Sequence, residues 1–156
     1  MPRVRQPRSR RRRRRATAER SRGSPRSPEQ LPPGRPLKDR VGHAGEAAAL
    51  AYLKEQGFRI LARDWRSRIG QIDIVAEDGE TLVLVEVKAR RGTGFGRPEE
   101  AVDERKQRKL RMLLEVYRGQ THRLKQPCRI DVIGLLMDSD LKATSVVHIR
   151  DAVQDE

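Results

Sequence analysis

Two strongly β-prone apolar runs in the middle of the chain constrain its fold more than any other feature. They span residues 71–76 and 81–88 and are joined at Asp78-Gly79, a dipeptide typical of a two-residue hairpin turn. The second run is apolar at odd and even positions alike, which predicts a strand covered on both faces. The fold must therefore supply a layer on each side of this hairpin.

The spacing of apolar residues predicts the other elements. Apolar positions three and four apart predict an amphipathic helix over about residues 47–56, ended by Gly57. A first strand over 58–65, a second helix over 99–118 and closing strands over 129–137 and 144–149 complete the order. The pattern predicts an α/β fold, a three-layer α/β/α sandwich around a mixed sheet of about five strands.

The basic charge is concentrated at the N-terminus. Residues 1–40 carry 15 Lys and Arg and three acids, whereas the remaining chain carries 20 basic and 19 acidic residues. Residues 1–38 have too little apolar surface to offset chain entropy, so we expect a disordered Arg-rich tail followed by one domain over 39–156. Such a tail binds polyanions without sequence preference. A dispensable extension, or a start codon assigned too far upstream, is the alternative.

The composition also bears on the compartment. A single cysteine, Cys128, excludes an internal disulfide and a zinc cluster of cysteines, and we interpret it as a small apolar filler. No apolar run approaches the ~20 residues that cross a bilayer, and the arginines are not followed by the apolar segment of a secretory signal. We therefore expect a cytoplasmic protein that does not bind a membrane.

Three charged residues, Asp73, Glu86 and Lys88, interrupt the apolar runs, where strand interiors disfavour charge. If the Asp-Gly pair supplies the two loop residues, Asp73 lies opposite Leu84 and Gln71 lies opposite Glu86. The four polar residues then project to one face of the sheet, with Asp73 and Glu86 as diagonal neighbours whose Cα atoms are roughly 7 Å apart.

Two carboxylates at this spacing suit one divalent cation. Mg²⁺ (or Mn²⁺) takes one or two carboxylates, and water and substrate phosphate complete its coordination. Such an ion activates water and neutralises charge on the phosphate, while Lys88 is placed to hold the water or to stabilise developing charge. The alternative from spacing alone is a solvated Asp and Glu-Lys pair with ordinary cross-strand ion pairs.

Four motifs of the folded part together carry a resemblance to a known family: Gly42-His43-Ala44-Gly45-Glu46, Gly70-Gln71-Ile72-Asp73-Ile74-Val75-Ala76, Val85-Glu86-Val87-Lys88-Ala89-Arg90 and Arg129-Ile130-Asp131-Val132. They resemble the YraN-like family of small uncharacterised bacterial proteins, and the resemblance covers nearly all of residues 41–137. This family is similar to the PD-(D/E)xK nucleases, near the archaeal Holliday-junction resolvases. The resemblance therefore implies a restriction-endonuclease-like core.

The resemblance assigns roles to residues of the hairpin. It implies that Asp73, Glu86 and the backbone carbonyl of Val87 bind the metal and that Lys88 is the catalytic lysine. Where the family usually has Gly-Glu-Ile-Asp, this chain has Gln71, whose carbonyl oxygen can bind a metal but brings no charge.

Residues on the two predicted helices match further family positions. Glu46 matches an acid that many superfamily members add to the metal site, although a first-turn acid also suits the helix dipole. His43, near Glu46, is an auxiliary candidate for lining the site. Lys106 matches a basic position that contacts phosphate, or it is an exposed helix lysine without a function.

The sequence thus supports three hypotheses. The leading one is a metal-dependent endonuclease that hydrolyses DNA, including branched or structured DNA. We expect DNA rather than RNA as the partner. The likeness to resolvases predicts a homodimer. The second is a non-catalytic nucleic-acid-binding module of the same fold, and the third places the function in the Arg-rich tail. Arginines near the hairpin are the candidate nucleic-acid contacts, or else solvated surface residues: Arg63, Arg66, Arg68, Arg90, Arg91 and Arg97.

Overall fold

The computed structural model describes residues 34–92 and 102–154. Within these ranges the chain forms two helices and five strands, in the order that the periodicity predicts. The helices are α1 (Leu37–Glu55) and α2 (Glu104–Gln120), and the strands are β1 (Arg59–Ser67), β2 (Gly70–Asp78), β3 (Thr81–Arg91), β4 (Cys128–Met137) and β5 (Ala143–Ile149).

The strands that the structure describes form one mixed sheet in the order β1-β2-β3-β4-β5. All neighbours are antiparallel except β3 and β4, which run parallel. Parallel neighbours need a crossover connection, and α2 lies in the segment that makes it. The carboxyl ends of β3 and β4 therefore lie at the same edge of the sheet.

Each helix covers one face of the sheet. Leu50 and Leu53 of α1 share a buried cluster with Val85 of β3. Leu110 of α2 shares a second cluster with Leu84, the preceding residue of the same strand. Because β3 sends alternate side chains into both clusters, it is covered on both faces, and the predicted three-layer α/β/α sandwich is confirmed. No helix in the described ranges is long and apolar enough to cross a bilayer.

Helix α1 begins at Leu37, about ten residues earlier than the predicted helix and inside the segment assigned to the tail. Val41 and Gly45 are buried and extend the apolar stripe of the helix toward its N-terminus. Gly45 serves packing, since a Cβ added there would lie 2.2 Å from the Cβ of Ala89. Residues 1–33, where the rest of the predicted tail falls, lie outside the described residues.

Helix α2 begins at Glu104 rather than near residue 99. Asp103 caps it, because its carboxylate accepts a hydrogen bond of 2.8 Å from the backbone N–H of Lys106. The described chain resumes only at Val102, so residues 99–101 and the predicted contact Arg97 are not covered.

The predicted hairpin register is wrong by two residues. Asp78 pairs with Thr81 and Val75 pairs with Leu84, so the two loop residues are Gly79 and Glu80. Gly79 has a φ of 59°, a conformation that glycine adopts without strain at the first position of such a turn. The shift is even, so the paired residues 74–78 of β2 keep their predicted faces relative to β3.

Strand β2 changes face at Asp73. Ile74 belongs to the cluster under α1, whereas Ile72, two residues earlier, belongs to the cluster under α2. In a regular strand these two side chains would share a face. On β1, Asp64 lies between the residues that pair with Ile72 and Ile74, and it has a φ of 47°. The two strands are therefore irregular together, beside the candidate metal ligand.

Candidate active site

The candidate site lies where the irregular part of β2 meets the second half of β3. Continuing the observed ladder by one residue sets Asp73 level with Glu86, and not diagonal to it as predicted. The backbone N–H of Val87 donates a hydrogen bond of 2.9 Å to Oδ2 of Asp73. This bond fixes the Asp73 carboxylate against the strand that carries Glu86 and Lys88.

Two lysines converge on Glu86, which is only 5% exposed. Lys88 Nζ lies 3.4 Å from Oε1 of Glu86, and Lys106 Nζ of α2 lies 3.1 Å from the same oxygen. Lys106, which was predicted as an auxiliary residue, thus contacts Glu86, one of the three predicted catalytic residues. One buried carboxylate oxygen faces two ammonium groups, so cationic charge is held where a metal ion is expected.

The acids at this edge destabilise one another's charged forms. Burial, and then the carboxylate of Glu86, raise the pKa of Asp73 to about 7, against the lowering effect of the hydrogen bond from Val87. Two carboxylates in one desolvated site cannot both ionise without cost unless a cation lies between them. This arrangement favours binding of a positive ion.

Glu46 approaches the site from α1. Burial, and then the carboxylate of Asp64, raise the pKa of Glu46, while His43 and Arg63 lower it. Glu86 also raises it, so Glu46 lies within electrostatic range of the two central acids. Asp64 was not among the predicted site residues. The sequence offers one signal for such a role, an acidic residue within a predicted strand.

A metal ion would be held by two carboxylates here. Across residues 34–92 and 102–154, no group of three or more His, Cys, Asp and Glu side chains is arranged to hold a metal ion. Asp73 and Glu86 nevertheless match the one or two carboxylates that Mg²⁺ commonly takes, with water and substrate phosphate as the other ligands. The donor set therefore fits a metal that is completed by substrate. Ligation by Glu46 and by the Val87 carbonyl stays a prediction.

Gln71 does not face Glu86. It is exposed and pairs with Arg66 of β1, and the β2–β3 ladder ends at Ile74 and Val85. In the described part of the chain, no hydrogen bond joins Gln71 to Glu86. The predicted position was wrong because it depended on the incorrect register.

The candidate arginines fall into two groups. Arg66 and Arg68 are exposed at the β1–β2 hairpin, where Arg66 lies 3.3 Å from Asp64. Arg90 and Arg91 are exposed at the carboxyl end of β3, directly after Lys88. Of these four arginines, only Arg66 forms an ion pair with an acid among the described residues. Their contact with nucleic acid stays a prediction.

A family model described as "Uncharacterised protein family UPF0102" matches residues 45–135. The chain belongs to this family. A UPF0102 protein of Symbiobacterium thermophilum is 50% identical over 97 residues, which cover 62% of this chain and 82% of that protein. A UPF0102 protein of Moorella thermoacetica is 42% identical over 113 residues, which cover 72% and 94% of the two chains. These matches confirm the family that the motifs predicted.

One solved structure, described as "Structure of EndoMS-dsDNA2 complex", is similar at 21% identity with a TM-score of 0.35. The similarity covers 60% of this chain and 35% of that one, so the chain spans about a third of that protein's length. The UPF0102 match itself contains Glu46, Asp73, Glu86, Lys88 and Lys106, whereas His43 lies just before it.

A second polar network lies near the opposite end of α1. Asp131, fully buried within the UPF0102 match, accepts hydrogen bonds from Arg129 Nε at 2.9 Å and from the backbone N–H of Asp151 at 2.9 Å. His148 Nε2 lies 2.8 Å from Asp131, and its Nδ1 lies 3.2 Å from the hydroxyl of Tyr52. These contacts join β4 and β5 to α1, which indicates a structural role for His148.

The structure also places Cys128 and His122. Cys128, the first residue of β4, is half-buried and packs against the cluster under α2, as expected of a small apolar filler. His122 is exposed just after α2 with a φ of 57°, in the polar loop where the sequence places it.

Proposed function

We propose that this protein is a divalent-metal-dependent endonuclease that hydrolyses phosphodiester bonds of DNA, including branched or structured DNA. The observation that carries the proposal is the meeting of Asp73, Glu86 and Lys88 at one edge of a three-layer sandwich. Asp73 is bonded to the backbone of Val87, and Lys88 lies 3.4 Å from Glu86. The same order of residues is what the likeness to PD-(D/E)xK nucleases implies.

The chain's own residues have distinct tasks in this proposal. Asp73 and Glu86 would hold Mg²⁺ or Mn²⁺, which when bound supplies a nucleophilic water and neutralises charge on the scissile phosphate. Lys88 orients that water or donates a hydrogen bond to the phosphate oxygen that gains charge. Lys106, whose ammonium group contacts the same oxygen of Glu86, would contact a non-bridging phosphate oxygen. Arg66, Arg68, Arg90 and Arg91 position the backbone on either side.

A nucleic-acid-binding module without turnover is the competing function. The observation in its favour is that the described residues offer two carboxylates at the site rather than a group of three. Gln71, which replaces the acid usual in the family, is exposed and does not contact Glu86. If this function holds, the protein binds DNA at the same edge but leaves it intact.

Cleavage assays test the proposal. Wild-type protein is incubated with junction, flap, single-stranded and duplex DNA in Mg²⁺, Mn²⁺ or EDTA. We expect metal-dependent cleavage of at least one substrate and its loss in Asp73→Ala and Lys88→Ala. Lys125→Ala, an exposed lysine in the loop between α2 and β4, is the control and should cleave normally. Cleavage that persists in both site variants would contradict the assignment.

A further inference from the structure

An open cleft adjoins the candidate active site on the side of α1. Its volume is about 650 Å³, and it lies between the first two turns of α1 and the carboxyl end of β3. Lys88, whose ammonium group contacts Glu86, forms part of its wall. Lys88 is thus shared by the cleft and the candidate site.

Four cationic side chains line the cleft: Lys38, Lys88, Arg90 and Arg91. Lys38 lies on the α1 side, and Arg90 and Arg91 lie on the β3 side; all three are exposed. Within residues 34–92 and 102–154, none of the three forms an ion pair with a carboxylate. Helix α1 also begins at this cleft, after Pro36, which provides no side-chain cap, so the positive end of the helix dipole adds to the field.

Gly42 gives an independent reason to regard the cleft as a binding site. A glycine inside a helix is destabilising relative to alanine, so its presence asks for a cause. Gly45, one turn later, has such a cause in its contact with Ala89. Gly42 has a negative φ, and a Cβ added there would meet no atom within 4 Å. Among the described residues, neither side-chain packing nor backbone conformation requires a glycine at this position. Gly42 lines the cleft, and its lack of a side chain leaves space beside the helix backbone.

We propose that the cleft between α1 and β3 binds the sugar-phosphate backbone of the DNA strand next to the phosphodiester that the candidate site cleaves. Lys38, Arg90 and Arg91 neutralise its phosphates, and Gly42 lets the strand approach the helix backbone. The inference rests on the proposed function for its substrate class, and it extends the proposed DNA-binding surface to the first two turns of α1.

The sharpest test changes no charge. Gly42→Leu fills the cleft with an apolar side chain, and Gly119→Leu is its match, since Gly119 is also a helix glycine with open space at its Cβ. Both full-length variants keep residues 1–33 and their 12 arginines, so affinity from that segment is equal in the two. Binding of fluorescein-labelled DNA is measured in EDTA, where metal-dependent cleavage does not occur. We expect Gly42→Leu, but not Gly119→Leu, to bind DNA more weakly than the wild type. The midpoint temperature of thermal unfolding of both variants should equal or exceed that of the wild type.

A charge-reversal pair covers the case in which Gly42→Leu does not fold. Lys38→Glu with Arg90→Glu is compared with Lys54→Glu and Lys125→Glu, which change the net charge equally at exposed positions outside the cleft. Loss of two phosphate contacts should lower the magnitude of the slope of log affinity against log salt by about 2 in the cleft pair only. Equal binding and equal slopes in the cleft and control variants would overturn the proposal.

The cleft and the nuclease can fail separately. Metal-dependent cleavage by the wild type, together with unchanged DNA binding in every cleft variant, overturns the cleft and keeps the nuclease. Binding that is lost only in the cleft variants supports the cleft, even where the wild type cuts no substrate in any metal. Binding of RNA of the same sequence is measured with the same variants. If the cleft substitutions weaken the binding of RNA but not that of DNA, DNA is not the occupant of the cleft.

Discussion

Lys106 Nζ lies 3.1 Å from Oε1 of Glu86 and joins the first turn of α2 to the middle of the sheet. The contact crosses from one layer of the sandwich to the next, and it balances part of the charge that Glu86 and Asp73 bring into a desolvated edge. An ammonium group at this position occupies space near the oxygen that would bind a metal ion. If Glu86 binds a metal ion as proposed, Lys106 competes with that ion for Oε1 of Glu86.

Lys106→Gln should therefore bind Mn²⁺ several-fold more tightly than the wild type, as measured by electron paramagnetic resonance titration. Its metal-free form should be less stable by about 1 kcal/mol, because Lys106 is one-third exposed and the ion pair is partly screened. Lys109→Gln, one turn further along the same helix, is the matched control and should leave Mn²⁺ affinity unchanged. Weaker Mn²⁺ binding in Lys106→Gln would show that the lysine does not compete.

Asp73→Asn should stabilise the metal-free protein at alkaline pH. The pKa of Asp73 is raised in the folded state to about 7, so the folded protein holds this proton more tightly than the unfolded chain does. The associated stability is fully present below about pH 4 and is lost as the pH rises through 7. Urea unfolding in EDTA should show the variant more stable by up to a few kcal/mol at pH 8 and equal to the wild type near pH 4. A wild type that is more stable at pH 8 would contradict this.

Asp131→Ala should lower the free energy of unfolding by about 1–3 kcal/mol, because it removes the fully buried carboxylate that accepts hydrogen bonds from Arg129 and from the backbone of Asp151 and that pairs with His148. Urea unfolding at pH 7 measures the loss. Asp140→Ala, at an exposed turn, is the control and should change stability by less than about 0.5 kcal/mol.

The same carboxylate contributes to unfolding in acid. Burial alone would raise the pKa of Asp131, but the hydrogen bonds from His148, Arg129 and Asp151 outweigh it and hold the pKa below its usual value. The stability that these bonds provide is present above about pH 4 and is lost as the pH falls through the folded-state pKa. The acid sensitivity of the wild type should therefore exceed that of Asp131→Ala. Equal sensitivity in the two proteins would place the acid-labile contact elsewhere.

The two glycines of α1 should respond in opposite directions to alanine. Gly45→Ala places a Cβ 2.2 Å from that of Ala89 and should destabilise the protein by about 1–3 kcal/mol. Gly42→Ala meets open space and should stabilise it by up to about 1 kcal/mol through helix propensity. Thermal unfolding of the two variants is a matched comparison within one helix. Destabilisation by Gly42→Ala would mean that the space beside it is not open in solution.

Removal of residues 1–33 should weaken DNA binding and make its salt dependence shallower by several units, because the segment carries 12 arginines that can each release a counterion. Fluorescence anisotropy from 50 to 300 mM salt measures the slope. Metal-dependent cleavage at saturating DNA should persist, since the proposed site lies within 46–106. Loss of all cleavage at saturation would move an essential residue into the segment.

The fold was accessible from the sequence because each element has its own repeating pattern. Residues 81–88 are apolar at odd and even positions, and this single fact required a helix layer on each face. The start of α1 was missed because the prediction used the apolar spacing that begins at Ala47, and the weak helix formers Gly42 and Gly45 precede it. Gly45 lies in the helix for a tertiary reason, its contact with Ala89 of β3, that no local pattern reveals.

The hairpin register shows the same limit at finer scale. The Asp78-Gly79 dipeptide predicted a loop at residues 78 and 79, one residue earlier than the observed loop at Gly79 and Glu80. In the structure Asp78 is instead the last paired residue of β2, and its carboxylate lies 2.9 Å from Arg129 and 3.0 Å from Arg150. These partners are more than 50 residues away in sequence, so turn propensity alone could not place the loop.

The candidate site was partly accessible for a related reason. Asp73, Glu86 and Lys88 were visible because charge inside apolar strands is unusual, and an even register shift kept their shared face. The contact between Lys106 and Glu86 and the approach of Asp64 to Glu46 were not predicted. Both depend on how layers and strands meet, and the irregularity at Asp73 has no local signature in the sequence.

The parallel pairing of β3 with β4 has a consequence for the order in which the molecule assembles. The bond between Val87 and Asp73 spans 14 residues and belongs to one hairpin, which can close as soon as β3 has left the ribosome. Lys106 is synthesised later and reaches Glu86 only once the crossover through α2 has docked. For that interval the two acids face each other without their lysine partner from the helix. If Asp73 and Glu86 bind a divalent cation as proposed, the nascent hairpin carries both carboxylate ligands before Lys106 is present to compete for Glu86.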